Sequence, residues 1–127
     1  MKKTPEPPSC IYPAQIEAQV LELARVTRQR DLAKDDLDVL SDEITKEVLL
    51  TVEPTTGKLI FTNDKSRDIE IRKRQRESND WITALNKYES EEGDRVHCAA
   101  ILERLRGDFS VWKIEKREAI ATLEAAA

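Results

Sequence analysis

A run of 37 residues without glycine or proline, from Ala14 to Leu50, most constrains what this chain can fold into. Apolar residues recur along it in steps of three and four, which places them on one face of a helix. They are Ile16, Val20, Leu23, Val26, Ala33, Leu37, Leu40, Ile44 and Val48. Because Pro13 suits the first turn of a helix, we predict a Pro-rich, flexible arm over residues 1–13 and helix one over residues 14–50.

The next segment, residues 51–63, is rich in β-branched and aromatic residues around a Pro-Thr-Thr-Gly turn. Proline presets the φ angle of such a turn, and Gly57 can take the left-handed position that closes it. We therefore predict a small β-hairpin. A lone two-stranded hairpin is marginal in water, so Val52, Leu59 and Phe61 form a candidate surface for assembly with another copy.

From Lys65 to Glu124 the chain has no proline, and its apolar residues again follow helical spacing. The stripe comprises Ile69, Trp81, Leu85 and Tyr88, then Ala99, Leu102, Leu105, Phe109, Trp112, Ile120 and Leu123. These patterns predict helix two over residues 64–124, with a bend or break expected near Gly93, where a glycine interrupts a polar stretch.

The composition fits long exposed helices, with 36% charged residues, 39% hydrophobic residues and three glycines. We expect a mainly α fold, a long antiparallel helical hairpin (coiled coil) with the small β-hairpin at its turn. The net charge of −4 does not favour anionic partners as a bulk effect, and no apolar run approaches a membrane span. The start of the chain does not resemble a signal peptide. Cys10 and Cys98 are read as reduced thiols, so we expect a cytoplasmic protein.

The charge pattern is consistent with a hairpin. Counted from the turn, the acidic cluster Asp35, Asp36, Asp38, Asp42 and Glu43 should face the basic cluster Arg72, Lys73, Arg74 and Arg76. Further from the turn, Arg25, Arg28 and Arg30 should face Glu89, Glu91 and Glu92. Complementary flanking charges select partner and orientation in coiled coils.

Helix two is longer than helix one, so residues beyond about 101 lack an intramolecular partner if the helix stays straight. Exposed apolar stripes are unfavourable in a monomer. We therefore expect this region to meet a second molecule, the alternative being a third helix that folds back near Gly93. The candidate interface residues are Leu102, Leu105, Phe109, Trp112, Ile120 and Leu123.

The basic residues Arg72, Lys73, Arg74 and Arg76 have two interpretations. They either grip nucleic-acid phosphates or form a solvated face paired with helix one, and the charge register favours pairing. The sequence contains one histidine, no Gly-rich phosphate loop and no zinc-ligand spacing. We expect no catalytic residues, no metal, no cofactor and no small-molecule substrate.

Two resemblances add to this interpretation. The order helix, β-hairpin, helix in a small acidic chain resembles prefoldin-type chaperone subunits, which implies a holdase that assembles through its β element. The residues Gly57 to Asn63, with Arg67, Glu70, Tyr88, Leu105, Arg106 and Phe109, resemble small coiled-coil proteins of bacteriophages and cyanobacteria, mostly of unassigned function. That second resemblance implies a phage or bacterial cytoplasmic protein.

The sequence thus predicts a non-catalytic protein–protein interaction module that self-associates as a dimer or larger oligomer, with a heterologous protein as a further partner. Such a module would act as an adaptor, inhibitor or assembly factor. One alternative is a DNA-associated accessory factor of phage or bacterial recombination that uses the basic cluster. The other is a prefoldin-like holdase.

Overall fold

The computed structural model describes residues 11–127, so most of the Pro-rich arm, together with Cys10, lies outside the described part. The fold is mainly helical. It comprises α1 (Tyr12–Leu50), α2 (Asp64–Glu77) and α3 (Asn79–Ala126). Among the described helices, none is long and apolar enough to cross a membrane.

The chain divides into two compact units, and α1 and α3 each contribute to both. The first unit contains described residues 11–27 and 93–127. Its buried residues are Val26, Cys98 and Leu102. The Tyr12 ring lies 5.8 Å from the Phe109 ring, and the Gln19 side-chain amide donates a hydrogen bond of 3.0 Å to the Cys98 carbonyl. The later α1 residue thus meets the earlier α3 residue, so the helices are antiparallel in this unit.

The second unit contains residues 28–92, and its buried residues are Ala33, Ile44 and Val48. The Trp81 indole N–H donates to the Ser41 hydroxyl at 3.0 Å. Arg30 Nη1 lies 3.1 Å from Glu92 Oε2. These contacts also pair α1 and α3 residues in opposite order along the chain.

The break in the second half of the sequence lies at Ser78, while α3 continues through Gly93. Ser78 has an extended backbone, with φ −89° and ψ 110°. Its N–H donates to the Gln75 carbonyl, and its hydroxyl accepts the Trp81 N–H at 3.2 Å. Ser78 therefore satisfies backbone groups of both helices that it separates, as capping residues do. The sequence predicted one helix over residues 64–124 with Gly93 as its weak point, whereas the structure has two helices separated by a serine cap.

The predicted β-hairpin is not supported, because residues 51–63 contain one isolated antiparallel bridge, Val52 to Leu59. The Glu53 N–H donates to the Lys58 carbonyl at 2.8 Å. Gly57 has φ +67°, the left-handed conformation expected for the turn. Regular strands do not extend from the turn, because the Thr51 N–H donates to the Val48 carbonyl of α1 at 3.3 Å instead of pairing with the opposite segment. With so little pairing, a two-stranded ladder is not stable on its own.

Candidate functional site: three helix surfaces without a partner

The outer side of α2 carries a row of cations, here called the cationic face. Lys65, Arg72, Lys73 and Arg76 lie on one side of the helix at helical spacing, and all four are exposed. Ile69 lies among them with 58% of its surface exposed. None of the four cations forms an ion pair or hydrogen bond with another residue in the described range 11–127. The face is thus open to an anionic partner.

Arg74 belongs to the same sequence cluster but lies on the inner side of α2. Its Nε lies 3.0 Å from Glu70 Oε1, and its Nη2 donates to the Thr51 hydroxyl at 3.3 Å. Three members of the predicted phosphate-binding cluster are therefore exposed, whereas Arg74 holds α2 against the end of α1.

The acidic cluster of α1 does not meet the cationic face within residues 11–127, although Glu43 and Arg74 line the same cleft. Asp35, Asp36, Asp38, Asp42 and Glu43 are all exposed. None of them has an ion pair with another described residue. The predicted pairing of the two clusters is therefore wrong for this part of the chain.

The contacts explain why that register fails. Thr51 meets Arg74 and Ser41 meets Trp81, so the acidic part of α1 lies level with α3. The first half of α2 lies against the turn instead, because Arg67 donates to the carbonyls of Phe61 and Thr62, each at 3.1 Å. Counting residues from the turn assumed that both helices leave it at the same level. The more distant pair Arg30 and Glu92, by contrast, does form.

On the outer side of α1 in the second unit, aliphatic and charged residues alternate at helical spacing, and we call this side the acidic face. Leu32, Asp35, Val39, Asp42 and the cation Lys46 follow one another at steps of three and four. Asp36 lies beside them, and Glu43 lies at the margin, where it lines a cleft with Arg74. Leu32 is 50% exposed and Val39 is 56% exposed. This side of α1 is opposite to the one that carries Ala33, Ile44 and Val48.

The end of α3, residues 113–126, forms the third surface and is called the C-terminal segment. Every residue in it is exposed although it remains helical to Ala126. Ile114 is 54% exposed, Ile120 is 52% exposed and Leu123 is 72% exposed. The residues of α3 that face inward, which include Leu102, form a stripe that we call the inner stripe. At spacings of three and four residues this stripe continues into the C-terminal segment. The last members of that stripe are Leu105, Phe109, Trp112, Lys116, Ala119 and Leu123.

The six predicted interface residues fall into two groups. Leu102 is buried, and Leu105, Phe109 and Trp112 are partly buried in the first unit. The Phe109 ring lies between Tyr12 and Trp112, with ring centroids 5.8 Å and 6.1 Å away, and Lys113 Nζ is 4.6 Å from its centroid. Only Ile120 and Leu123 are exposed. The unpaired region therefore begins after Trp112, later than the expected position near residue 101.

The residues predicted for β-hairpin assembly lie together at the turn. Val52 and Leu59 are bridge partners and are 45% and 47% exposed, whereas Phe61 is partly buried. One bridge leaves few backbone groups positioned to pair with another copy.

An open cleft of about 330 Å³ lies where α2 meets α3. Its lining includes the carboxylates Glu43, Glu47, Glu77 and Asp80, together with Arg74. These carboxylates are all exposed. Within residues 11–127, no group of three or more His, Cys, Asp and Glu residues is arranged to hold a metal ion. The buried Cys98 is a free thiol in the first unit.

The carboxyl group of Glu22, on the surface of α1, has a shifted pKa. Two hydrogen bonds from the Arg25 guanidinium, of which the one from Nε to Oε2 measures 3.0 Å, lower the pKa of the Glu22 carboxyl, and the charge of Arg25 acts in the same direction. This pair joins residues three apart on the surface of α1, a common way of supporting a helix. We assign it a structural role.

Comparison with family models, curated proteins and solved structures finds no match for this chain. The proposals below therefore depend on the chemistry of the three surfaces.

Sequence reasoning missed two features of these surfaces. It placed Ile69 in the inner stripe, whereas that residue lies on the cationic face. It also did not single out the alternation of aliphatic and acidic residues on the acidic face. In the sequence, the residues of both faces recur at helical spacing, about half a turn away from the residues that face inward.

Proposed function

We propose that this chain is a non-catalytic protein-interaction module, an antiparallel helical hairpin that self-associates through its C-terminal segment. The exposure of all residues from 113 to 126 on a helix that continues the inner stripe carries this proposal. The occupant that we propose is the same segment of a second copy.

Helix stability supports a partner for this segment. Its 14 residues extend about 21 Å at 1.5 Å per residue. The segment is the end of the 48-residue α3, and most helical stability in proteins comes from packing of an apolar side rather than from helix propensity. Leu123 lies at the centre of such a side and Ile120 at its margin, so pairing would remove Leu123 from water and cover part of Ile120.

The heptad positions favour an antiparallel pair of these segments. Stripe residues Trp112, Lys116, Ala119 and Leu123 alternate in steps of four, three and four. In an antiparallel arrangement centred between Arg117 and Glu118, Trp112 of one copy meets Leu123 of the other, and Lys116 meets Ala119. The large side chain then packs beside a leucine, and the lysine stem covers an alanine while its ammonium group reaches water.

The role that follows is that of an adaptor, inhibitor or assembly factor. A paired C-terminal segment would join two helical units and leave their acidic and cationic faces available. The holdase alternative depends on a β element that assembles, and only one β-bridge is present among the described residues. We therefore give that alternative no part in the proposal.

Hydrogen exchange read by mass spectrometry tests the pairing. In the native chain we expect protection of residues 113–126 to rise with protein concentration, because pairing stabilises helical hydrogen bonds. The variant Ile120→Glu/Leu123→Glu should lose that dependence. A matched control is Val96→Glu/Val111→Glu, since these valines are 54% and 55% exposed on α3 but lie off the stripe.

Protection that stays low at every concentration would refute self-pairing of the segment. Equal loss in the control variant would show that added negative charge on α3, and not the apolar stripe, is responsible.

A further inference from the structure

The cationic face has a composition suited to a helical partner. Four cations surround Ile69, which has 58% of its surface in solvent. From Lys65 to Arg76 the face extends about 16 Å along α2. Inner contacts of Arg67 and Arg74 fix the rotation of the helix, so these residues point outward together.

The acidic face of α1 shows the same design with the opposite charge. Leu32 and Val39 are half exposed between carboxylates. The carboxylates are Asp35, Asp36 and Asp42, with Asp38 and Glu43 at the margins, and the cation Lys46 lies on the same side of the helix. Two helix faces that each have an aliphatic centre and that carry opposite charges are complementary in apolar packing and in charge. Charge complementarity determines which partners and registers are tolerated.

We propose that the cationic face of one copy docks on the acidic face of α1 in a second copy. Ile69 would then pack between Leu32 and Val39, and the flanking cations would meet carboxylates. This contact uses different residues from the C-terminal segment and does not depend on the pairing proposed above.

The placement of the faces determines the symmetry of the contact. The cationic face points away from α1, since Arg74 on the opposite side of α2 contacts Thr51. The acidic face points away from the side of α1 that carries Ile44 and Val48. One copy therefore offers complementary surfaces on opposite sides, so the contact is heterologous. Repetition of a heterologous contact forms a ring if it closes or an open chain if it does not.

A second copy fits the cationic face better than duplex nucleic acid does. Phosphate contacts require cations but no apolar centre, whereas Ile69 occupies the middle of this face. The chain as a whole carries a net charge of −4, which opposes accumulation on a polyanion.

A charge exchange between the two faces tests the proposal by analytical ultracentrifugation of the full chain. All proteins carry Ile120→Glu/Leu123→Glu, so that pairing of the C-terminal segment does not contribute to the mass. One variant adds Arg72→Glu/Lys73→Glu/Arg76→Glu, and the other adds Asp35→Lys/Asp38→Lys/Asp42→Lys. The control for charge is Lys87→Glu/Arg104→Glu/Arg117→Glu, which changes three exposed cations of α3.

At low salt we expect the parent mass to rise with concentration and to return to the monomer value at about 0.5 M salt, where screening is strong. Each face variant alone should remain monomeric, because like charges then meet. Their equimolar mixture should regain the parent mass, which also shows that both variants are folded. The α3 control should behave as the parent does.

A mixture that stays monomeric would overturn the proposal. Titration of a labelled DNA duplex provides the competing outcome. Duplex binding that is lost in the cationic-face variant, together with a parent mass that never exceeds the monomer, would assign the face to nucleic acid instead.

Discussion

The buried side of α1 makes a quantitative prediction at Val48, whose residual exposure is 1%. The substitution Val48→Ala removes two methyl groups from a packed position. The transfer free energy is about 0.8 kcal/mol for each buried carbon, and incomplete collapse of the space adds to it. We expect burial to account for a loss of about 2 kcal/mol in the free energy of unfolding, a factor of roughly 30 in the ratio of folded to unfolded chain.

Helix propensity acts in the opposite direction, because alanine favours a helix more than valine does by several tenths of a kcal/mol. Val39→Ala provides the matched control, since Val39 lies on the same helix and is 56% exposed. Both variants are measured at about 0.5 M salt, where the charged contact proposed around Val39 is screened. The propensity gain is similar at both positions, so the difference between the two variants isolates burial. Urea unfolding followed by circular dichroism, at equal protein concentration, measures both.

A difference near zero between these variants would refute the assignment of Val48 to the core of the second unit. A change of the urea slope in one variant, without a shift in the midpoint, would indicate altered compactness rather than a lost contact.

Three further predictions concern the turn, the helices and pH. Asn63→Ala should lower the free energy of unfolding by about 1 kcal/mol, because its side chain caps α2 by accepting the Ser66 N–H at 2.8 Å; Asn63→Asp, measured by urea unfolding, should retain stability. Gly107→Ala should stabilise α3 by about 0.5–1 kcal/mol, since an added Cβ meets open space, whereas Gly57→Ala should destabilise the turn at φ +67°; equal signs in calorimetry would contradict this. The contribution of Glu22 is present above its ordinary pKa and is lost as pH falls through the lowered value; Arg25→Gln should raise that pKa in an NMR titration, and no change would contradict the pairing.

The helical character of the chain could be predicted from spacing alone. Val26, Ala33, Ile44 and Val48 were placed on the inner face of α1 by steps of three, four and seven, and all four are buried. Val20 was placed there too, but it is 41% exposed. Gln19 takes the inner position because its amide can donate to the Cys98 carbonyl. Apolar spacing does not anticipate a polar residue in the seam when a backbone acceptor satisfies it.

The end of α1 was easier to predict from the sequence than the interruption between α2 and α3. Glycine is a poor helix former, which drew attention to Gly93. Yet a glycine within a long helix costs only about 1 kcal/mol, and the surrounding turns retain the helix. Ser78 precedes Asn79 and Asp80, a sequence typical of a helix start. That capping signal was present and indicates the observed interruption.

Which residues of the acidic and basic clusters lie opposite each other could not be predicted by counting residues from the turn. The register depends on how far the turn and the first half of α2 extend beyond α1, and Arg67 fixes this by bonding to the turn. Such a contact has no periodic signature in the sequence.

The molar mass of the native chain by light scattering, beside that of Ile120→Glu/Leu123→Glu, tests the central claim most directly. The chain mass is 14.6 kDa. We predict a native mass of at least twice this value at high salt, where contacts between charged faces are screened, and a monomer for the variant. A native chain that is monomeric at high salt across the concentration range would contradict self-association through the C-terminal segment.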